Sequence, residues 1–302
     1  MNYKKIIKHA GMIESDKKIV HMQDIIQQKK EILSINFSLI ITDPLGEVLC
    51  KTENLLKKEH YDIRIIDLLH MKKGNHYNPF LYIKNEMDAM LLARCLVENT
   101  CDKNNKGNPS WMRSEISLLT AIICYLKIER PEQEQNFTSV MKMLRAAKTG
   151  VLDSLFSDLE KINSNHISIK QWKIFDMNSE IDRGYVISSL AARLSIFDIS
   201  QIEYLMETDD LSLNDIRNSK IALFILIPIA DDSFDFIIKA LHFQILSFLN
   251  YNHNYKFTLL DDLKEIECKE LENTNEHLDD ILVKKEVSEK IEAIEESEFW
   301  EF

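Results

Sequence analysis

The chain has 302 residues, of which 45% are hydrophobic and 28% are charged, so it can bury a sizeable core and is not globally disordered. Only six glycines and five prolines interrupt it, which indicates a helix-rich protein. The net charge of −12 is unevenly placed, because residues 259–302 hold 16 acidic and 5 basic side chains. Residues 1–258 are therefore nearly neutral, and they lack the excess of basic side chains that is typical of nucleic-acid-binding proteins.

Cysteine and histidine spacing gives no sign of a metal site. The five cysteines lack a C-x-x-C pair, and the nine histidines show no ligand spacing such as H-E-x-x-H. No signal peptide is visible, and no apolar run approaches the ~20 residues of a membrane-spanning helix. We therefore expect a cytoplasmic chain with reduced thiols, no metal and no transmembrane segment.

The first part of the chain alternates strands and helices. Residues 1–35 are polar and helical in character. A strand over 37–42, a helix around 50–58 and a strand over 62–66 follow, and this β-α-β order predicts parallel strands. A loop at Tyr77-Asn78-Pro79-Phe80 closes the segment.

The middle of the chain has helical periodicity. From about residue 86 to 217 apolar side chains recur with a period of 3.6. Pro109 begins one helix after Asn108, Asn136 caps the next helix, and Gly150 ends that helix. About six successive helices predict an all-α domain inserted after the β-α-β unit.

The strand pattern then returns. Residues 221–227 are uninterrupted apolar sequence, typical of a strand buried on both faces, and residues 233–250 form the strongest helical pattern. The Glu/Lys-rich residues 251–302 read as an acidic tail. The predicted fold is α/β, mostly helical, with about three parallel strands, a large all-α domain and the 233–250 helix against the sheet. We expect residues 1–35 to lie across that sheet as a further helix.

Five segments carry a family resemblance. They are Ile41-Thr-Asp-Pro-Leu-Gly-Glu47, Tyr77-Asn-Pro-Phe80, Pro109-Ser-Trp-Met-Arg-Ser-Glu115, Asn136-Phe-Thr-Ser-Val-Met-Lys-Met-Leu-Arg-Ala-Ala147 and Ala222-Leu-Phe-Ile-Leu-Ile-Pro228. In this order they resemble the coupling-protein ATPases of type IV secretion and conjugation, the TraG/TraD-type branch of the HerA–FtsK superfamily. The resemblance implies a RecA-like motor-domain remnant over 36–85 and 218–250, with the all-α domain over 86–217 between the two parts.

The nucleotide site expected from that resemblance is missing. Family members hold ATP and Mg²⁺ at a P-loop, whose backbone N–H groups and Lys bind phosphates. None of the six glycines here precedes Lys (11, 46, 74, 107, 150 and 184). Two membrane helices and the P-loop normally precede the 37–42 strand, and dissimilar residues stand in their place. We therefore expect a truncated, non-hydrolysing relative that binds neither ATP nor Mg²⁺.

Phe257-Thr-Leu-Leu-Asp-Asp262 is the nearest string to a Walker B motif. It reads either as a strand whose two acids ligate Mg²⁺ or as the start of the acidic tail. Lys264 and Glu265, which follow at once, favour the tail.

Two groups of residues are candidate site residues through the resemblance. The family pattern implies that Asp43 and Glu47 polarise a water or lie near Mg²⁺. The alternative is a strand-ending turn, favoured because Leu45 replaces the family's Lys and no phosphate cradle accompanies it.

Trp111, Arg113 and Glu115 match the family's DPFW-x-x-x-E in part. They form a candidate partner surface on the all-α domain. The alternative for Trp111 is a core position, which is common for Trp at the start of an amphipathic helix.

The function implied is binding of relaxosome or coupling-protein components in DNA transfer. DNA would be contacted only indirectly, and the cytoplasmic face of the membrane would be reached through partners. Two alternatives remain open. The chain can join an intact homologue in a mixed ATPase ring and contribute Glu47 to a neighbour's site, or it can be the product of a non-functional gene remnant.

Overall fold

A computed structural model describes residues 38–71, 73–100, 109–217, 219–228, 233–250, 257–261 and 264–267. The predicted helix within 1–35 and the tail from 268 onward lie outside these residues. The chain divides into two compact units. The sheet unit takes the described parts of 1–65, 213–229 and 248–302, and the helical unit takes those of 66–212 and 230–247.

The strands are β1 (Ser38–Pro44), β2 (Asp62–Asp67), β3 (Ile221–Ile227), β4 (Phe257–Asp261) and β5 (Lys264–Glu267). They form one sheet in the order β2-β3-β1-β4-β5, in which β1 pairs in parallel with both β3 and β4. The pair β4–β5 is antiparallel. The three predicted strands are confirmed as β1, β2 and β3.

The sheet continues into a segment that sequence analysis placed in the acidic tail. Every residue of β1 from Ser38 to Asp43 is buried. Buried main-chain N–H and C=O groups need partners on both edges of a strand. β3 supplies them on one edge, and β4 supplies them on the other from Ser38 to Ile41. Phe257–Asp261 is therefore a strand, and ligation of Mg²⁺ by its acids stays a prediction.

The helices are α1 (Glu47–Lys58), α2 (Glu86–Asn99), α3 (Pro109–Glu129), α4 (Phe137–Ala147), α5 (Val151–Ile162), α6 (Ile167–Asp176), α7 (Glu180–Arg193), α8 (Ser200–Glu207) and α9 (Asp235–Asn250). Short 3₁₀ helices cover Pro79–Tyr82, Glu132–Glu134, Ser195–Asp198 and Leu213–Arg217. The described part of 86–217 thus has seven α-helices where about six were predicted. Two of the seven, α6 and α8, are short, with 10 and 8 residues.

A side-chain cap starts α4 where the sequence places it. The Asn136 side chain accepts a hydrogen bond from the Ser139 N–H at 3.0 Å, which confirms the predicted cap of α4. The prediction that Gly150 ends α4 is wrong: the residue that caps the end of α4 is Lys148, and Gly150, with a φ of 73°, is the residue from which α5 starts. Only glycine adopts this left-handed conformation without strain.

Helix α3 is the centre of the helical unit. Its 21 residues are buried almost continuously from Ser114 to Cys124, and it packs against α2, α4, α6 and α7. Helix α9 joins the same unit, because the Gln244 Nε2 donates to the Pro79 carbonyl at 2.9 Å. The predicted packing of α9 on the sheet stays a prediction.

Candidate functional site

Asp43 lies at the end of β1, and its carboxylate faces the start of α1. The side chain is 1% exposed. It accepts hydrogen bonds from the Leu49 N–H at 2.8 Å and the Val48 N–H at 3.3 Å. The first N–H groups of a helix lack intrahelical partners and attract anions. Asp43 therefore supplies the anion at the N-terminus of α1, and these N–H groups are not free to bind a phosphate.

Burial raises the pKa of Asp43 above its ordinary value of 3.8. The hydrogen bonds from Leu49 and Val48 oppose this shift, and the nearby charge of Glu47 adds to it. The folded state therefore holds the Asp43 proton more tightly than the unfolded chain does.

The turn between β1 and α1 is strained at Leu45. Leu45 has a φ of 90° and Gly46 a φ of 74°, so two consecutive residues are left-handed. Glycine tolerates this region, whereas a branched side chain is disfavoured there. The Leu45 side chain, at the position of the family's Lys, points outward and is 45% exposed.

Glu47 opens α1 next to Asp43, but its carboxylate lies at the surface. Its carboxylate is 39% exposed and lies 3.4 Å from the Lys51 Nζ. An acid in the first turn of a helix is favoured by the helix dipole. Both carboxylates thus have partners within the described chain, and their catalytic role stays a prediction.

We expect Asp43→Ala to lower the free energy of unfolding by about 1 kcal/mol, the usual cost of losing an N-terminal cap. Asp43→Asn keeps an acceptor for the Leu49 N–H without a buried charge, so it should cost less. Urea unfolding monitored by circular dichroism measures both changes.

The pH dependence of the same variants tests the raised pKa. A raised folded-state pKa contributes stability that is complete below pH 3.8 and is lost as the pH rises through the folded-state pKa. Wild type should therefore lose stability relative to Asp43→Asn as the pH rises from below 3.8 towards neutral. A constant difference across this range would contradict the shift.

The segment Tyr77–Phe80, one of the carriers of the resemblance, is a structural clamp in the helical unit. The Asn78 Nδ2 donates to the carbonyls of Gln135 at 2.8 Å and Glu207 at 3.3 Å. The Tyr77 hydroxyl donates to the side-chain oxygen of Gln244. These hydrogen bonds join parts of the helical unit that are distant in sequence. The segment therefore has a structural role in this chain.

Asp209 completes the clamp, although sequence analysis did not single it out. Its carboxylate accepts from the Asn78 N–H at 3.0 Å and from the Tyr82 hydroxyl at 2.6 Å. Its neighbour Asp210 accepts from the His76 N–H at 2.6 Å. The sequence signal for this role is a pair of adjacent acids that begins two residues after α8.

Trp111 does not belong to the core. It is 41% exposed, and its ring stacks on that of Tyr185 with centroids 5.9 Å apart and planes 18° apart. Tyr185, on α7, is 58% exposed. Arg113 is also exposed. These positions agree with a surface at the start of α3.

Glu115 is not part of that surface, contrary to the grouping made from the sequence. Its side chain is 2% exposed and its Oε1 accepts a hydrogen bond from the Arg193 Nε at 3.1 Å. Its other oxygen, Oε2, has no hydrogen-bond partner in the described chain. Glu115 lies one turn before the buried Leu118 and Leu119, so it faces inward with them.

None of the helices in the described ranges is long and apolar enough to cross a membrane. Within those ranges, no group of three or more His, Cys, Asp or Glu side chains is placed to hold a metal ion.

Comparisons with known proteins place the chain in a family. No curated protein matches it. Among solved structures, the bacterial conjugative coupling protein TrwBdeltaN70, in a trigonal form in complex with sulphate, is 15% identical with a TM-score of 0.44. The match covers 76% of this chain and 52% of that chain, so this chain spans about half of its length. A family model matches residues 31–260, which is most of the sequence, and the chain therefore belongs to the type IV secretory system conjugative DNA transfer family.

Proposed function

We propose that this chain takes part in conjugative DNA transfer by binding another protein of the transfer machinery and that it does not hydrolyse ATP. The binding element would be the all-α region 86–217. DNA would be contacted only through partners, and partners would bring the chain to the cytoplasmic face of the membrane.

The occupied N-terminus of α1 is the observation that carries the non-hydrolysing part of the proposal. Phosphoryl transfer relies on positioning phosphates and a metal ion. Asp43 already accepts from the first N–H groups of α1. The 302 residues also contain no Gly-Lys pair to supply a P-loop cradle. A phosphate approaching this turn would meet a carboxylate in place of free N–H donors.

We expect no binding of ATP or GTP by the isolated chain, with or without Mg²⁺. The measurement is calorimetric titration of the full chain, with a P-loop-containing homologue as the positive control. Micromolar affinity for either nucleotide would contradict the prediction.

The exposed aromatic pair supports the partner-binding part. Trp111 and Tyr185 stack on each other at the surface of the helical unit. Exposed clusters of large apolar side chains mark interaction sites, and Trp and Tyr are enriched among the residues that dominate binding energy.

The test immobilises the full chain and measures binding of purified relaxase, relaxosome accessory proteins and an intact coupling protein. We expect at least one to bind, and an unrelated acidic helical protein of similar size is the control. Attraction by the acidic tail should weaken above ~0.15 M salt, where the screening length is about 8 Å. If this chain captures nothing beyond the control, the proposal fails.

A second candidate is a subunit of a mixed ATPase ring. The exposure of the Glu47 carboxylate at the start of α1 favours it, because a buried side chain cannot reach a neighbouring subunit. This candidate requires that Glu47→Ala lower the ATPase activity of a mixture with an intact homologue. Unchanged turnover would exclude it.

A further inference from the structure

An apolar patch covers the exposed side of α7 and its junction with α6. We define the aromatic patch as Trp111, Met177, Ile181 and Tyr185, which are 41%, 86%, 73% and 58% exposed. Trp111 stacks on Tyr185, and Ile181 lies one helical turn before Tyr185 on α7. Met177 directly follows α6, and the next residue, Asn178, donates from its Nδ2 to the Ser114 Oγ at 3.0 Å. The junction is thereby held against the start of α3.

Gly184 lies on the same exposed side of α7. It is in the middle of the helix, where glycine destabilises, and its φ is not left-handed. A Cβ placed on Gly184 would meet no atom within 4 Å. Neither the backbone conformation nor packing within the described chain therefore requires glycine there. What its missing side chain does provide is space for close approach from outside.

The charges around the aromatic patch are mostly acidic. Glu180 and Asp182 lie in the first turn of α7. Asp153 and Asp176 lie at the same junction, where both contact Arg183, with the Arg183 Nη1 at 2.8 Å from the Asp176 Oδ1. Two carboxylates thus contact the Arg183 guanidinium. Arg113, two residues after Trp111, and Lys173, which pairs with Glu160, are further cations in this part of the described chain, so five carboxylates stand against three cations. This excess attracts cations and repels phosphate.

We infer that the aromatic patch binds a basic amphipathic helix of a transfer protein, with that helix crossing α7 at Gly184. This inference rests on the proposed function, whose partner it specifies. Apolar side chains of the bound helix would cover Trp111, Ile181 and Tyr185, and its Lys or Arg side chains would meet the surrounding carboxylates. Interaxial distances depend on the side chains at the crossing point, so glycine permits the closest approach.

The same charges disfavour the other occupants. A nucleic-acid backbone or an anionic lipid surface would bring more negative charge to an acidic rim. A second copy of this chain that docked through the same patch would bring the same acidic rim against this one.

The test uses the full chain and a labelled amphipathic peptide of leucine and lysine, about 15 residues long, near the length at which isolated helices form. Fluorescence anisotropy reports its affinity, and the same peptide with glutamate in place of lysine is the control. We expect the lysine peptide to bind at least about tenfold more tightly than the glutamate peptide. Equal affinities would overturn the inference.

Gly184→Leu is the decisive variant, because it fills the space while improving helix propensity. We expect its melting temperature to stay equal or rise by ~2–4 °C, and its affinity for the lysine peptide to fall about tenfold. Trp111→Ala should weaken binding similarly. Tyr204→Ala, which removes a tyrosine that is 64% exposed on α8, should leave the affinity for the lysine peptide unchanged. Wild-type affinity in folded Gly184→Leu would overturn the inference.

The same variant separates this inference from the proposed function. If wild type and Gly184→Leu capture a relaxosome protein equally, the proposed function stands and the aromatic patch is not its binding site. If wild type captures a relaxosome protein and Gly184→Leu does not, both stand.

Discussion

Replacing Arg193 by alanine is expected to lower the free energy of unfolding by about 3–5 kcal/mol, because it leaves a buried carboxylate without its charge partner. Glu115 is 2% exposed and its Oε1 accepts from the Arg193 Nε at 3.1 Å. Its Oε2 has no other hydrogen bond in the described chain to offset the loss. Urea unfolding followed by circular dichroism gives the change.

Two variants control for the burial of this pair. Arg145→Ala removes the same kind of side chain from an exposed pair with Asp198, at 2.8 Å, and should cost at most about 1 kcal/mol. The double variant Glu115→Leu with Arg193→Met removes both charges and should recover most of the stability, since apolar replacement of a buried pair is often neutral. If Arg193→Ala lowers the free energy of unfolding no more than Arg145→Ala does, the buried charge is not the cause.

The core strands were predictable because their signal is local. Residues 221–227 are apolar at every position, and β3 covers that range. The cap at Asn136 was equally predictable, because a capping side chain bonds to an N–H only three residues away.

β4 and β5 were not predictable in the same way. Residues 257–261 are few, and charged residues follow them directly. What makes β4 a strand is the open edge of β1, more than 200 residues earlier in the chain. A local pattern does not contain that information. The same limit applies to the Gln244 contact that joins α9 to the segment at Pro79.

The burial of one of the three candidate surface residues is predictable from the sequence. Glu115 precedes Leu118 and Leu119 by one helical turn, so the helical period already places it on the buried stripe. Trp111 precedes Glu115 by one turn as well, and the pattern alone would bury it. Trp111 is nevertheless exposed, and its stacking partner Tyr185 of α7 is remote in sequence.

Phe137→Ala is expected to lower the free energy of unfolding by about 3–5 kcal/mol, the range found for removing a buried aromatic ring. Phe137 is 2% exposed. Its ring stacks on Phe197 with centroids 4.2 Å apart and meets Phe80 edge-on at 5.5 Å. Phe197 in turn meets Phe236 of α9 edge-on at 5.5 Å, so one cavity would disturb four connected rings.

Two of the segments that carry the family resemblance meet in this cluster. Phe80 belongs to the 77–80 segment and Phe137 to the 136–147 segment, and they meet in one core. Phe137→Leu, which keeps much of the side-chain volume, should therefore lower the free energy of unfolding less than Phe137→Ala does.

Phe156→Ala is the matched control, because it removes an equally buried ring that stacks on Trp172 outside this cluster. Hydrogen exchange should then show faster opening of α9 in Phe137→Ala than in Phe156→Ala. Equal protection of α9 in both variants would show that the cluster does not hold α9 to the helical unit.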